Sequence, residues 1–394
     1  MTKPPIYLDH AATTPVRPEV IEAMLPYFGT KFGNSSSTHR WGREARAATD
    51  AARERIGACL GASADEICLS SGGTEADNLA VLGSWRVQRG SSRNAVVTTP
   101  IEHKAVLASA HQAAKEGAEE RLLDIDATGV VNLASARTHL RPDVAIASVM
   151  WVNNETGVIQ PIEELVALAK NVGAVFHTDA VQAFGKIVID AKSTPFDLCS
   201  VSGHKFGAPK GIGAVFVRRG TALAPLFFGG TQDRGRRPGT ENVPMAIALA
   251  TAMELTLREK DAECARLLAL RDRLEAALLE RVPDAVVHGR GAPRAPHILS
   301  LSVPGTDSES MLMALDLQGV ACSSGSACQS GSVTASHVLN AMGVPPELGS
   351  AAVRMSVGKL TTDEHIDRVV ALFPALIAKA RSMAGNLQTV DGGR

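Results

Sequence analysis

The chain has 394 residues, 45% of them hydrophobic, and 40 basic residues against 41 acidic ones leave a formal net charge of -1. A chain of this length usually divides its core into two lobes. A charge so near zero lacks the positive field that sequence-independent nucleic-acid binding needs. No run of the sequence is apolar for the roughly 18 residues that suggest a membrane span, and no signal-peptide core opens it. We therefore expect a cytoplasmic protein with a small-molecule or protein partner, without membrane or direct nucleic-acid contact.

Short apolar runs alternate with amphipathic stretches in the first part of the chain. The runs that predict buried strands are Glu66–Ser70, Ala95–Thr98, Val144–Val149, Val175–Asp179, Leu198–Val201 and Ala214–Val217. Helical patterns separate many of them, as at Glu75–Arg89, His103–Glu116 and Ile162–Asn171. Strands that are apolar on both faces and interleaved with helices are typical of a mainly parallel sheet covered by helices. The pattern predicts an α/β domain.

The pattern changes near residue 255 to a long helical tract with leucines at helical spacing. Beyond this tract the sequence predicts strand, helix, strand and helix, at His297–Ser302, Ser308–Gln318, Val353–Val357 and Thr362–Met383. We expect a large domain over residues 16–255, and a smaller α+β domain formed by residues 1–15 together with 256–394.

The segment from Ser70 to Asn78 follows a predicted strand and opens a helix. Free N–H groups at a helix start favour a phosphate, glycine at positions 72 and 73 lets it approach, and Thr74 adds a hydroxyl donor. The segment matches neither the G-x-G-x-x-G fingerprint nor the P-loop. Taken alone, a turn followed by a helix N-cap explains it better than a ligand site does.

Asp179 and Lys205 each follow a predicted strand. The ligand crevice of an open α/β sheet lies beyond the strand ends, although a helix N-cap is an equally good reading of Asp179. Lys205 could act as an amine nucleophile or base, but by itself it is better read as a surface lysine. Together with the phosphate segment, however, the two supply what a protein gives to pyridoxal 5'-phosphate (PLP): a phosphate cradle, an acid for the pyridinium nitrogen and a lysine for the aldehyde.

The six cysteines form no C-x-x-C pair, so they fit neither a disulfide framework nor a zinc site. Cys328 lies in a serine- and glycine-rich segment, residues 321–332. Such a segment can be mobile, and beside a PLP site its thiol is a candidate nucleophile. A linker with an incidental thiol is the alternative. No intrinsic metal site is expected, although Cys328 could contact an iron-sulfur cluster transiently.

Several motifs, in the correct order, resemble those of the cysteine desulfurases of the NifS/IscS type, which are fold-type-I PLP enzymes of the class V aminotransferase family. The motifs are Tyr7–Pro15, Ser71–Glu75, Glu102–Lys104, Val152–Gly157, Asp179–Gln182, Ser202–Lys205, Gly239–Asn242, Ser323–Cys328 and Arg354–Gly358. The resemblance spans nearly the whole chain. It implies conversion of L-cysteine to L-alanine, with the sulfur carried as a persulfide on Cys328 to an acceptor protein for iron-sulfur cluster assembly or thiolation.

The resemblance also implies a role for each matching residue. Lys205 would hold PLP and move the Cα proton, His103 would stack on the ring and carry protons, and Cys328 would attack the sulfur. The other cofactor contacts would be Gly73, Thr74, Asn154, Asp179, Gln182, Ser202, His204 and, from the neighbouring subunit of a homodimer, Thr240. The contacts to the substrate carboxylate would be Asn34, Asn154 and Arg354.

A selenocysteine lyase or a related class V aminotransferase would share the fold and Lys205. An aminotransferase has no use for a thiol on a serine- and glycine-rich loop, so Cys328 separates these activities. A non-catalytic sulfur-trafficking subunit is disfavoured by the presence of Lys205, Asp179 and Cys328 together. The tail after Met383 does not resemble the longer tail with which housekeeping members dock their scaffold, so the sequence leaves the acceptor open.

Overall fold

The computed structural model describes residues 4–324 and 336–391, with side chains as far as residue 382. The strands are β1 (Ile6–Tyr7), β2 (Ile67–Ser70), β3 (Ala95–Thr98), β4 (Glu119–Leu122), β5 (Val144–Ser148), β6 (Val175–Asp179), β7 (Leu198–Ser202), β8 (Gly213–Val217), β9 (Val286–Val287), β10 (Ile298–Ser302), β11 (Val320–Ala321) and β12 (Ala352–Ser356). The helices are α1 (Pro18–Met24), α2 (Arg40–Cys59), α3 (Gly73–Gln88), α4 (Lys104–Lys115), α5 (Leu133–His139), α6 (Ile162–Asn171), α7 (Val243–Arg281), α8 (Ser308–Leu317), α9 (His337–Ala341), α10 (Pro346–Gly349) and α11 (Asp363–Asp391). The predicted mobile loop with Cys328 lies outside the described residues.

The large sheet has seven strands in the described part of the chain, in the order β2-β8-β7-β6-β5-β3-β4. β8 is antiparallel to β2 and β7, whereas the other neighbouring pairs are parallel. Each strand predicted in this part of the sequence is present, with its ends shifted by at most one residue. β4 was missed because it forms an edge of the sheet and keeps only Arg121 buried, which leaves no apolar run. The mainly parallel α/β fold is confirmed.

Helices cover both faces of this sheet. On one face Trp85 of α3 and Val106 of α4 pack with Val96 of β3 in one apolar cluster. On the other face Leu165 of α6 and Phe176 of β6 belong to a larger cluster that also takes in α2 and α7. Strands covered on both faces must be apolar throughout, which is why they read as continuous hydrophobic runs.

The remaining strands and helices form a second core. β12, β10 and β9 make an antiparallel sheet, and β1 pairs in parallel with β11. Leu274 of α7, Leu301 of β10 and Phe373 of α11 lie in one apolar cluster, which Ile6 of β1 joins. The predicted elements of this part are present, and α11 continues to Asp391 beyond its predicted end.

Helix α7 runs without interruption through the domain boundary that we expected near residue 255. Leu255 still belongs to the large apolar cluster, whereas Leu267 belongs to the second one. This division supports our proposal of a large domain at 16–255 and a small domain that combines 1–15 with 256–394. Over the described ranges, no helix combines the length and the apolarity needed to cross a membrane.

We predict that Phe176→Ala destabilises the protein by about 3–5 kcal/mol, because it empties a large buried site in β6. The Phe176 side chain is fully buried, whereas Val188 is 68% exposed. Val188→Ala is therefore the control, with an expected change within about 0.5 kcal/mol. Chemical denaturation followed by circular dichroism measures both. Equal midpoints for the two variants would show that β6 does not lie in the core.

Candidate active site

The parallel strands β3, β5, β6 and β7 end along one edge of the large sheet. The residues predicted to bind a ligand lie at these strand ends or in the loops that follow them: His103, Asn154, Asp179, Gln182, Ser202, His204 and Lys205. β2 points the same way, since both β2 and β7 are antiparallel to β8, and it leads into the glycine-rich start of α3. The ligand crevice of an open α/β sheet lies at this edge.

The start of α3 offers a site for an anion. Gly72 precedes the helix with a φ of 152°, a conformation that favours glycine, and no side chain caps the helix, so the first N–H groups, at Gly73 and Thr74, are left for a ligand. A Cβ on Gly73 would lie 3.0 Å from Cγ2 of Val181. The hydroxyl of Ser202 lies 3.7 Å from where a Cβ of Gly72 would be. The cradle is therefore lined by donors, its backbone conformation favours glycine at position 72, and it leaves little room for a Cβ at position 73.

Glu75 brings a negative charge into the first turn of this helix. Its carboxylate accepts hydrogen bonds from the Ser71 N–H at 2.8 Å and from Nε of Arg237 at 2.9 Å. These hydrogen bonds lower its pKa, so Glu75 is ionised but paired. The charge does not oppose an anion at the helix start.

Lys205 ends a short 3-10 turn and is held by the N-terminal segment. Its Nζ donates to the carbonyl oxygens of Ala11 at 2.7 Å and Ala12 at 2.9 Å. Nδ1 of the neighbouring His204 lies 3.2 Å from Oγ1 of Thr13. Burial, together with the Lys205 charge, lowers the pKa of His204 to about 4. His204 is thus neutral near pH 7, and the first residues of the chain close over the lysine.

Asp179 is 4% exposed at the end of β6. One carboxyl oxygen accepts the N–H of Val181 at 2.8 Å. Burial raises the pKa of this acid, although interactions with His103 and Lys205 oppose the rise. A further cationic group, such as a protonated ring nitrogen, would stabilise the ionised carboxylate in this dry place.

His103 caps helix α4 through its side chain. Nδ1 accepts the N–H of Ala105 at 3.2 Å, so a neutral ring carries its proton on Nε2. Burial lowers the pKa of His103, while Asp179 raises it and Lys205 lowers it further. The site therefore contains a neutral imidazole with a fixed tautomer beside the lysine and the acid.

Arg354 of β12 comes from the small domain and has a side chain that is 5% exposed. Its two terminal nitrogens donate to the Asp9 carboxylate and to the carbonyl of Asn154, both at 2.8 Å. Its Nε is buried and has no hydrogen-bond partner in the described part of the chain. A buried N–H of this kind calls for an acceptor, and a carboxylate is the one that guanidinium binds best.

The side chains of three predicted site residues are exposed or are engaged by other groups of the protein. The Gln182 amide donates to the Ala11 carbonyl at 2.8 Å and its oxygen lies 3.3 Å from Nε2 of His297. Asn34 is exposed, and its amide oxygen accepts the N–H of Ser36 at 2.9 Å. Thr240 is exposed as well. The ligand contacts assigned to these residues stay predictions.

Several buried polar residues at this edge received no role from the sequence. The carboxylate of Glu102 is fully buried and accepts the Met150 N–H at 2.9 and 3.0 Å and the Thr99 hydroxyl at 2.7 Å. Burial raises its pKa to about 8. Asp77 and His177 are also buried. The spacing of His177 and Asp179 on one face of β6 was a usable signal, because residues two apart on a strand point the same way.

The sequence and the fold are similar to those of known proteins. The family model described as Aminotransferase class-V matches residues 6–369. A cysteine desulfurase of Gluconacetobacter diazotrophicus is 48% identical over 381 residues, which are 96% of this chain and 95% of that protein. The cysteine desulfurase NifS of Azotobacter vinelandii is 43% identical over 394 residues, 99% and 98% of the two chains. The solved structure of a NifS-like protein has a TM-score of 0.89 at 32% identity, over 95% of this chain and 99% of its own.

We predict that Glu102→Gln removes part of the pH dependence of stability. Because the pKa of about 8 exceeds the ordinary value of 4.5, the folded protein keeps a proton that the unfolded chain releases between these values. Wild-type stability therefore falls as the pH rises through this window. Thermal midpoints at about pH 5 and about pH 8 should differ less for the variant than for the wild type. Glu54→Gln, at an exposed position, should behave as the wild type; a Glu102 variant that does the same would contradict the raised pKa.

Proposed function

The chain belongs to the class V aminotransferase family, and on this premise we propose that it is a PLP-dependent cysteine desulfurase. The reaction converts L-cysteine to L-alanine and moves the sulfur to Cys328 as a persulfide. One observation carries the proposal: Lys205, Asp179 and the uncapped start of α3 lie at the same edge of the sheet, in a chain whose Ser323–Cys328 motif supplies a thiol. Relatives named as cysteine desulfurases support it.

The residues at the sheet edge fit PLP. The N–H groups of Gly73 and Thr74 and the hydroxyl of Ser202 would hold its phosphate, Asp179 its ring nitrogen, and Lys205 its aldehyde carbon. When bound, PLP supplies an electron sink for the electrons released at the substrate Cα. His103, Asn154, Gln182 and His204 would complete the contacts to ring and phosphate.

Arg354 binds the carboxylate of cysteine in this proposal. Its Nε has no partner among the described residues, and its other nitrogens are held by Asp9 and Asn154, so the guanidinium is oriented before the substrate arrives. Pre-orientation reduces the entropy lost on binding. Asn34 would assist at the rim.

Lys205 moves the proton of the substrate Cα. The carbonyl oxygens of Ala11 and Ala12 accept hydrogen bonds from Nζ, so they direct this amine when it is not bonded to the cofactor. His103 carries protons at the neighbouring position, through Nε2, since Nδ1 is engaged by helix α4. Groups held in place in this way make efficient acids and bases.

Cys328 takes the sulfur. Its thiolate attacks the substrate sulfur, an S–S bond forms as the C–S bond breaks, and the electron pair left on the substrate carbon takes up a proton to give alanine. The described residues flanking its segment lie at the substrate site: Ser323 exchanges backbone hydrogen bonds with Arg354 at 2.6 and 3.1 Å, and the Ser336 hydroxyl donates to Glu155, next to Asn154. This anchoring supports delivery of sulfur from the site.

A homodimer is part of the proposal. Phe32, Phe227 and Phe228 expose 68, 52 and 90% of their surface. Phe227 and Phe228 are adjacent in the sequence, and contiguous exposed apolar surface marks interaction sites. Thr240 is exposed in the segment that follows the two phenylalanines and so is available to the cofactor of a second copy. The persulfide would pass to an iron-sulfur scaffold or a thiolation protein.

We predict that Lys205→Ala abolishes turnover and the visible absorbance of lysine-bound PLP, because Lys205 is the amine that the Ala11 and Ala12 carbonyls hold at the sheet edge. Borohydride reduction followed by peptide mapping locates the cofactor bond in the wild type. Lys210→Ala is the matched control, since Lys210 is exposed five residues further along, and it should keep both properties. A pyridoxyl label on Lys104 or Lys210 would refute the assignment.

We predict that Cys328→Ala stops sulfur removal but leaves the first absorbance changes with cysteine intact, because the thiol acts only at the C–S bond. Wild-type protein given cysteine without an acceptor should gain about 32 Da on the peptide that contains Cys328 and lose it on reduction. Mass spectrometry measures this gain.

Cys322→Ala provides the control. Burial raises the pKa of Cys322 to about 12, so its thiol stays protonated and is a poor nucleophile. This variant should form the persulfide normally. Alanine and sulfide production by Cys328→Ala at the wild-type rate would instead indicate a lyase that needs no protein thiol.

A further inference from the structure

A row of buried polar side chains crosses three strands beneath the cofactor acid. Ser148 of β5 pairs in register with His177 of β6, and Ser200 of β7 pairs in register with Asp179. All four are at most 4% exposed. Asp77 of α3 packs onto this row and is 1% exposed. None of these contacts is needed for the fold alone, because an apolar side chain would fill the same space without a desolvation cost.

His177 joins the two serines. Nδ1 lies 2.8 Å from the Ser148 hydroxyl and Nε2 lies 2.9 Å from the Ser200 hydroxyl. Burial lowers the pKa of His177 to about 3, so the ring is neutral and carries a single N–H. One serine must therefore donate to the ring while the other accepts from it. The hydrogen bonds along this row can therefore all run from Ser200 towards Ser148, or all run from Ser148 towards Ser200.

Asp77 decides between the two directions. Its Oδ1 lies 3.7 Å from Nε2 of His177 and has no hydrogen-bond partner among the described residues. Burial and the neighbouring charge of Asp179 raise the pKa of Asp77 well above the ordinary range, although an interaction with the Ser200 hydroxyl opposes this rise. A protonated Asp77 would donate a hydrogen bond to the Ser200 hydroxyl, whereas an ionised Asp77 would accept one from it.

The acids at this edge differ in the support that each receives. Asp179 has a backbone N–H donor, and its interactions with His103 and Lys205 also favour its ionised form. Glu102 accepts from a backbone N–H and a hydroxyl. Asp77 has a bare buried oxygen and no cation among its neighbours. Glu102 is already protonated near pH 7 because of its raised pKa, so the remaining competition is between Asp77 and Asp179. Two close acids in a dry site do not readily both ionise, so the proton should reside on Asp77, whose charge is less supported.

We propose that Asp77 is a positioning residue for the cofactor acid: it carries a proton, donates through Ser200 and His177 to Ser148, and thereby leaves the negative charge on Asp179. The proposal rests on the proposed function, since it concerns the acid that would face the ring nitrogen of PLP. In this arrangement Ser200 donates to Nε2, and Nδ1–H donates to Ser148. These hydrogen bonds then hold β6, which carries Asp179, against β5 on one side and β7 on the other.

Infrared difference spectroscopy of the holoenzyme tests the protonation of Asp77. Asp77→Asn should remove intensity from the C=O stretching band of protonated carboxyl groups and none from the carboxylate bands. Asp50→Asn, at an exposed position of α2, is the control and should remove carboxylate intensity. If Asp77→Asn behaves like the control, Asp77 is ionised and the proposal is wrong.

The affinity for PLP tests the positioning role. Asp77→Asn keeps an uncharged donor to Ser200, so the dissociation constant of this variant for PLP should stay within about twofold of the wild-type value. Asp77→Leu has no donor, so its dissociation constant for PLP should rise by about tenfold, the effect of one hydrogen bond. The Leu variant should melt no lower than the wild type, since an apolar residue suits this buried place. Equal affinities for the two variants would overturn the role.

A failure of the proposed function can be distinguished from a failure of the role proposed for Asp77. A purified wild-type protein that takes up no PLP would refute the proposed function itself. PLP that binds with its usual absorbance, in a protein where Asp77 proves to be ionised, would refute only the role of Asp77.

Discussion

The candidate site depends on one geometric constraint: parallel strands end along the same edge of their sheet. Residues far apart in the sequence, such as His103 and Lys205, meet because β3, β5, β6 and β7 point the same way. The short loops after these strands then carry the polar groups, and the apolar strands below exclude water. That exclusion is why the ionisable groups at this edge, including Glu102 and Asp179, have displaced pKa values.

Segments that contribute to the second core also contact this edge. The carbonyls of Ala11 and Ala12, which follow β1, accept hydrogen bonds from Lys205, and Arg354 of β12 donates to the carbonyl of Asn154. Residues of β1 and β12 belong to the second apolar cluster. The candidate site is therefore assembled from elements of both cores.

The sequence predicted the parts of this arrangement that depend on local pattern. Buried strands such as β3 and β8 were found because both their faces are largely apolar, and the glycine-rich start of α3 because glycine marks a close approach. Residues whose role arises from tertiary contact could not be found in this way. Asp9 pairs with Arg354 from the opposite end of the chain, and Asp77 follows the Ser71–Glu75 motif without a pattern of its own that indicates its contact with His177. The ligand contacts of the site residues stay predictions, because they concern a bound cofactor, a substrate or a second copy.

Helix α7 has 39 residues and would be roughly 58 Å long at 1.5 Å per residue. Its first half is embedded in one core and its second half in the other. Because this one stiff helix is packed in both cores, the two cores cannot move apart along it without unpacking one of its ends.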